Sequence, residues 1–303
     1  MLRIEHLSKS FGGVKATSDV SMDFPSGSLS AVIGPNGAGK TTFFNLISGA
    51  LQPDAGKILL EDENIVGLSS SEIIRKGIGR AFQVAKLFKT LTVEESLRGA
   101  LQSPLGKSAQ MHGSFPLEQT RDRALEVMEL LGLQHKADVI SGNLSHGDQK
   151  LLDIALALVL RPKVLLLDEP TNHMDIESIQ WLEDFLINQA KAVMVISHDK
   201  TFVDNITNRT IEVTMGRIYD YKAVYSEYLE LRKDRRIHQQ KAYDEQQKFI
   251  AENQAFIDRF RGTFSKTESV QSRVKMLEKI VPIEVDEIDT SALKLKFPPS
   301  PRS

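Results

Sequence analysis

The segment Gly34-Pro35-Asn36-Gly37-Ala38-Gly39-Lys40-Thr41-Thr42 follows the apolar run Leu29–Ile33 and leads into FFNLISG, which has the pattern of a helix. Residues of these types in this order suit a polyphosphate. Glycines allow consecutive backbone N–H groups to turn inward as an anion nest, and the helix start adds the positive end of its dipole. Lys40 would then pair with β- and γ-phosphate oxygens, and the Thr41 hydroxyl would ligate Mg2+. An incidental glycine-rich turn would need neither the strand before it nor the helix after it. A second apolar run, Val164–Leu167, delivers Asp168 and Glu169 to its end. Ligands of open α/β sheets bind at that end of a strand. Asp168 is placed to hold Mg2+ directly or through water, and Glu169 to polarise a water molecule that attacks the γ-phosphate. A strand ending in solvated charge is the plainer alternative for these acids, and their coupling to the glycine-rich loop argues against it.

These groups need rigid elements to hold them. Leu29–Ile33, Val164–Leu167 and Ala192–Ile196 are continuously apolar, as strands covered on both faces of a parallel sheet are. Residues 1 to about 60 alternate apolar and polar in short runs punctuated by Gly12-Gly13 and Pro25-Ser26-Gly27, which predicts half-buried strands with turns. Helical patterns lie between: Arg121–Leu131, with Leu125, Met128 and Leu131 on one face, and Leu151–Leu160, interrupted by Asp153. Strands alternating with helices predict an α/β fold. From about Tyr221 to Arg261 there is no Pro or Gly, and Phe249, Ile250, Phe256, Ile257 and Phe260 recur at coiled-coil spacing, predicting one long helix. Gly262 to Thr267 reads as a turn, and Val270, Val274 and Leu277 as the seam of a returning helix that ends before Pro282. The acidic, then Pro-rich tail from Ile283 reads as extended or disordered.

Composition sets outer bounds. A chain of 303 residues, 41% apolar and 26% charged, has enough for one large core and an appendage. A formal charge of −2 gives no whole-chain argument for nucleic acid or membrane, so any basic surface must be local. The absence of cysteine excludes disulfides, thiol catalysis and Cys-based metal sites, and fits a reducing compartment. Glu5 and Lys9 stand where a signal peptide needs an apolar run, and no stretch approaches the ~18 apolar residues of a membrane span, so a soluble, cytoplasmic chain is expected.

With the glycine-rich loop and the strand-end acids in place, the chain resembles the ABC ATPase superfamily, and further segments match that family's motifs in order. The resemblance implies an α/β P-loop NTPase cassette, with a parallel-sheet core, an antiparallel β-subdomain and a helical subdomain at about 88–160. The cassette would cover 1–220, a C-terminal α-helical hairpin 221–281 and an extended tail 282–303. It implies ATP and Mg2+ as ligands and ATP hydrolysis as the reaction, with Gly34, Pro35, Asn36, Gly37, Ala38, Gly39, Lys40, Thr41 and Thr42 around the phosphates. Phe11 matches the aromatic that stacks on adenine; read alone, it is as readily a core residue. Gln83, in GRAFQ, matches the glutamine that senses Mg2+ and the attacking water, joining Thr41 and Asp168 around the metal. His198 matches the histidine that hydrogen-bonds the γ-phosphate, completing a catalytic set with Glu169 and Gln83.

Leu144-Ser145-His146-Gly147-Asp148 matches the family's signature (LSGGQ), with His146 in place of a glycine and Asp148 in place of the glutamine. Ser145 and Gly147, which the family uses to contact ATP bound to the other protomer, are retained. Thr171 to Asp175 matches the D-loop, with Asn172 and Asp175 as its polar members. A second cassette is therefore an implied partner, in a homodimer or paired subunit.

Within the superfamily two resemblances divide the chain. Residues 1–171 resemble the ATP-binding subunit of branched-chain amino-acid importers, through LSKSFGGVKAT, GIGRAFQVAKLFKTLTVEESL and LSHGDQKLLDIALALVLRPKVLLLDEPT. That half implies membrane permease subunits as partners, met at Lys86–Leu97, and a position at the inner face of the plasma membrane. Residues 172–303 resemble the first-cassette end and interdomain linker of ABC-F translation factors, through NHMDIESIQWLE, VISHDKTFVDNI and GRIYDYKAVYSEYLELRKDRR. That half implies the ribosome and tRNA as partners, with Arg232, Lys233, Arg235, Arg236, Lys248, Arg259, Arg261, Lys266, Arg273 and Lys275 facing RNA phosphates. Interleaved Glu230, Asp234, Asp244, Glu245 and Glu252 equally suit a solvated helical face. The two resemblances meet at LLLDEPT, which both families share and where a chimera would join.

Overall fold

Strands β1 (Leu2–Phe11), β2 (Val14–Phe24), β4 (Ala55–Leu60) and β5 (Glu63–Asn64) form an antiparallel sheet in the order β2-β1-β4-β5, the half-buried alternation expected of residues 1 to about 60. The computed structural model describes residues 1–102, 120–214, 216–260 and 267–283. The three apolar runs become the centre of a second sheet as β3 (Leu29–Ile33), β7 (Val164–Asp168) and β8 (Val193–Ile196), mutually parallel, with β6 (Ile78–Ala81) in parallel beside β7 and β9 (Arg209–Thr214) in parallel beside β3. Antiparallel β10 (Arg217–Tyr221) closes the order β10-β9-β3-β8-β7-β6. Every residue of β7 and β8 is buried, because apolar side chains cover both faces of the sheet.

Helices complete three apolar clusters. Helix α1 (Lys40–Ile47) buries Phe43, Phe44 and Ile47 between the two sheets, and α2 (Ser70–Lys76), closed by a capping box of Ser69 and Glu72, adds Ile73. On the opposite face of the parallel sheet, α6 (Ile176–Gln189) contributes Leu182 and Leu186, and α7 (Lys200–Ile206) contributes Phe202 and Ile206. The third cluster joins α3 (Val93–Gln102), α4 (Arg121–Leu130) and α5 (His146–Leu158). In α4 the buried stripe is Ala124, Val127 and Met128, continued by Leu131, while Leu125 faces solvent at 41% exposure. The expected face of Leu125, Met128 and Leu131 is thus rotated: the 124, 127, 128, 131 stripe is the one with full i, i+3, i+4, i+7 spacing. Helix α5 starts well before Leu151, because the Ser145 side chain accepts the Asp148 N–H and caps it.

The chain divides into a unit of Met1–Tyr228 and a unit beginning at Leu229. Helix α8 (Tyr225–Phe260) starts after the expected Tyr221 because 217–221 are paired in β10. Helix α9 (Thr267–Glu278) returns and takes in Thr267, the last residue of the expected turn; the rest of that turn, 262–266, and all of the expected tail after Ile283 lie outside the described residues. The seam of the second unit is more polar than its spacing suggests. Phe249 is 43% exposed, and buried Asn253 accepts a hydrogen bond from Arg273 Nη1 at 2.7 Å, whose guanidinium lies 3.9 Å from the Phe256 ring centroid.

Ala223 and Tyr228 are buried, Thr210 Oγ1 donates to the Ala223 carbonyl at 2.9 Å, and the Tyr221 and Tyr228 rings meet edge-on at 5.0 Å. A chain ending at residue 221 should therefore lose about 3 kcal/mol of stability, by denaturant unfolding, relative to one ending at 236. Equal stability of the two truncations would refute that boundary. In α5, burial pushes the Asp153 carboxyl up to about 6, against the pull of the Phe82 N–H and Lys150. A folded pKa above the unfolded value makes this group's contribution greatest below the unfolded pKa, and that contribution is lost as pH rises through about 6. Asp153→Asn, which keeps an acceptor but cannot ionise, should gain on the parent by up to about 3 kcal/mol between pH 4 and 7. A stability gap that does not vary with pH would contradict this.

Candidate nucleotide site

Strands β3 and β7 run parallel on either side of β8, so the loop that follows Ile33 and the acids that end β7 emerge on the same edge of the sheet. Between them is a cavity of about 240 Å3 lined by the loop from Asn36 to Thr42 and by Gln83, Asp168, Glu169, Ile196 and His198. All the expected catalytic and metal-binding residues are in that lining. Gly34 and Pro35 are not in that lining, and a Cβ on Gly34 would strike the Val213 carbonyl. Gly39 has φ 104°, and a Cβ would sit 2.7 Å from the Ala16 carbonyl. Both positions therefore require glycine, and the loop they shape presses against β9 and β2 instead of standing free.

Helix α1 opens directly into the cavity. Its N-cap, Gly39, offers no side-chain acceptor, so the N–H groups of the first turn look out between Gly39 and Thr42. Lys40 Nζ donates to the carbonyls of Gly34 at 2.7 Å and Pro35 at 3.0 Å. Burial lowers the Lys40 pKa, and the negative charges of Glu169 and Asp168 oppose that shift. An anion seated on the loop would compete with those two carbonyls for the ammonium.

Opposite the loop, Asp168 is buried and its pKa is raised by desolvation, against the charges of Arg80, Lys150 and Lys40. Arg80 Nη2 approaches Asp168 Oδ2 at 3.8 Å, and Nη1 donates to Asn45 Oδ1 at 2.7 Å and Ser48 Oγ at 2.8 Å, tying the acid to the α1 helix and the Ser48 that caps it. Glu169 is equally buried and takes φ 48°, a left-handed conformation uncommon for a residue with a side chain. Its N–H donates to the Ile196 carbonyl at 2.8 Å, and its Oε2 accepts the His198 N–H at 3.1 Å. His198 Nε2 is 3.4 Å from Glu169 Oε1, while most of the imidazole is exposed toward the cavity mouth. The strained backbone and two fixed hydrogen-bond partners hold one carboxylate against the cavity wall. Thr41, Gln83 and Asp168 bring hydroxyl, amide and carboxylate oxygens to one cavity, a donor set suited to a hard divalent cation such as Mg2+.

The other expected site residues lie elsewhere. Phe11 is exposed, not core, with Lys9 Nζ 5.6 Å from its ring centroid, and it does not line the cavity. Leu144 is buried, and Ser145, His146, Gly147 and Asp148 form the start of α5, away from the cavity of their own chain. There Ser145 Oγ donates to Asp148 Oδ2 at 2.6 Å, and Lys136 Nζ donates to the other Asp148 oxygen. Asp175 caps α6 by accepting the Ser178 N–H at 2.8 Å, and Asn172 is exposed beside it. Signature and D-loop segments touch: the His146 and His173 ring centroids are 5.9 Å apart, and a Cβ on Gly147 would lie 2.8 Å from the His173 carbonyl. Of the basic residues expected to face RNA, Lys233 donates to Glu230 at 2.6 Å and Arg273 is turned into the hairpin seam. Lys248, Arg259 and Lys275 are exposed, and Arg261 and Lys266 lie outside the described residues.

Sequence reasoning passed over Arg80, Lys150 and Asp153. The available signal was charge in or next to apolar runs: Arg80 in β6, Asp153 within the apolar part of α5 and Lys150 directly before it.

A model of the ABC transporter family matches residues 17–172, and a second ABC transporter model matches 211–297. The Escherichia coli K12 protein "High-affinity branched-chain amino acid transport ATP-binding protein LivG" is 34% identical over 71% of this chain and 89% of its own length. The Arabidopsis thaliana protein "ABC transporter F family member 2" is 28% identical over 98% of this chain, an alignment that crosses the LLLDEPT junction. The chain spans only 47% of that relative's length. The fold is shared with a dimeric structure of the ATP-binding cassette MJ0796 in a post-hydrolysis state bound to ADP and Pi, at TM-score 0.61 and 26% identity over 72% of this chain and 98% of that one. Motif order, cavity and similarity agree that the chain belongs to the ABC transporter family of ATP-binding cassettes.

Proposed function

We propose that the chain hydrolyses Mg-ATP in a site completed by a second cassette, and that closure of the two energises an importer of the branched-chain amino-acid type. The observation that carries the ATPase reading is the single cavity holding the glycine-rich loop, Gln83, Asp168, Glu169 and His198 together. The loop amides and the α1 N-terminus bind the phosphates, and Lys40 leaves its own loop carbonyls to pair with them. Thr41, Gln83 and Asp168 would hold Mg2+, which offsets phosphate charge as it builds up at transfer. Glu169, fixed through the backbone of His198, takes the proton of the attacking water, and His198 donates toward the γ-phosphate. Because Ser145 and Gly147 lie away from this cavity, they serve the nucleotide held by the opposing cassette. That arrangement is consistent with the dimer solved for the MJ0796 relative. The importer output rests on the similarity to LivG, and the permease would dock at the exposed stretch of Val84 and Phe88 beside Gln83. Such a cassette works in the cytoplasm, at the inner face of the membrane; no described helix is long and apolar enough to cross it.

A second reading, an ABC-F-like module acting on the ribosome and tRNA, is favoured by the helical hairpin. The ABC-F relative aligns over 98% of the chain, whereas the importer relative aligns over 71%.

Glu169→Gln should lower ATP turnover by at least about 100-fold while ATP-dependent dimers persist in light scattering; undiminished hydrolysis would remove Glu169 as the base. The same variant separates the two outputs. If the importer reading holds, it should not co-sediment with ribosomes in ATP; co-sedimentation that is lost when residues from 237 onward are deleted would install the ABC-F reading in its place.

A further inference from the structure

Two charged side chains one turn apart on α5 are buried without contacting the cavity, Lys150 and Asp153, each 4% exposed. Burying either charge is costly unless its hydrogen bonds are made. They are made to backbone. Lys150 Nζ donates to the Phe82 carbonyl at 2.7 Å and to the Asp168 carbonyl at 2.9 Å. Asp153 Oδ2 accepts the Phe82 N–H at 2.8 Å. The Phe82 peptide is thus gripped at both its donor and its acceptor by one helix. Phe82 directly precedes Gln83, and Asp168 directly precedes Glu169. The ladder between β6 and β7 runs to Ala81 opposite Leu167, and Lys150 fastens together the two chains just past that last pair.

The same helix begins at Ser145, five residues before Lys150, or roughly 7.5 Å along the axis at 1.5 Å per residue. Such a short helical stretch moves as a rigid body, so a shift of its capping end is carried to whatever Lys150 and Asp153 hold. We infer that Lys150 and Asp153 are positioning residues that fix Gln83 and Glu169 relative to each other. They mechanically link the signature at the start of α5 to the hydrolytic groups of the same chain. This rests on the proposed ATPase reading for the roles of Gln83 and Glu169, and adds that contact between Ser145 and a partner's nucleotide is felt in the cis cavity through these three hydrogen bonds.

The test compares the full chain with Lys150→Met, Lys150→Arg and Glu169→Gln. Lys150→Met should lower kcat about tenfold or more, with KM and the calorimetric affinity for ATP within about threefold of the parent, and Lys150→Arg should restore most of the rate. Independently of turnover, amide hydrogen exchange should quicken in peptides covering Gln83 and Glu169 in Lys150→Met and stay parental in Lys150→Arg. If Lys150→Met does not fold, Lys150→Gln, which keeps a donor but reaches only one carbonyl, takes its place with the same expectations. Parental kcat and parental exchange in the Met or Gln variant would overturn the inference. So would equal losses of ATP affinity in the Met and Arg variants, which would mean a packing role only. A parent chain that binds ATP without hydrolysing it would refute the ATPase reading instead, and the exchange result would still decide whether the link exists.

Discussion

The bare N-terminus of α1 is the feature on which the rest of the cassette depends. A helix start exposes N–H groups that no backbone carbonyl can satisfy, and here Gly39 supplies no side chain to do it. The surrounding structure keeps that start accessible yet well shaped. Strand β3 delivers the loop, the carbonyls of Ala16 and Val213 exclude any side chain larger than hydrogen at Gly39 and Gly34, and Lys40 is held nearby on its own loop carbonyls. Buried acids at the end of β7 then set a negative wall opposite a positive one. Two like-charged carboxylates side by side are tolerable because Arg80, Lys150 and Lys40 surround them.

The central strands and the loop were legible in the sequence because each follows from a local rule. Short apolar runs bounded by turn residues suit strands covered on both faces, and Leu29–Ile33, apolar but for Ser30, is found with the expected bounds. Asp168 and Glu169 were readable for the same reason, as the first charges after such a run. What stayed hidden was long-range. Asp153 looks like an interruption of an apolar helix and Lys150 like the last polar residue before it, because their partners are backbone atoms 68, 18 and 71 residues away. The rotated face of α4 and the polar seam of the hairpin have a similar origin. Leu125 and Phe249 fit a helical stripe on paper, but tertiary neighbours chose the adjacent stripe of Ala124 and Val127 in one case and an Asn253–Arg273 pair in the other.

The two similarities within the family overlap and differ in reach: one covers 71% of the chain and the other 98%. The ABC-F alignment therefore takes in the cassette and the helical hairpin together. A buried asparagine facing an arginine is a weaker glue than an apolar seam, but it fixes which residues of two helices stand opposite each other. The pair thus sets Asn253 of α8 opposite Arg273 of α9.

The serine at the head of α5 has its proton already committed. Its hydroxyl points at a carboxylate that a lysine holds in place, so an incoming phosphate oxygen must take that proton from a resident anion instead of from water. Two such heads meeting without nucleotide would bring together groups that are internally satisfied and have little to offer one another. Under the proposed function, this head offers an opposing cassette little until a triphosphate outbids the aspartate.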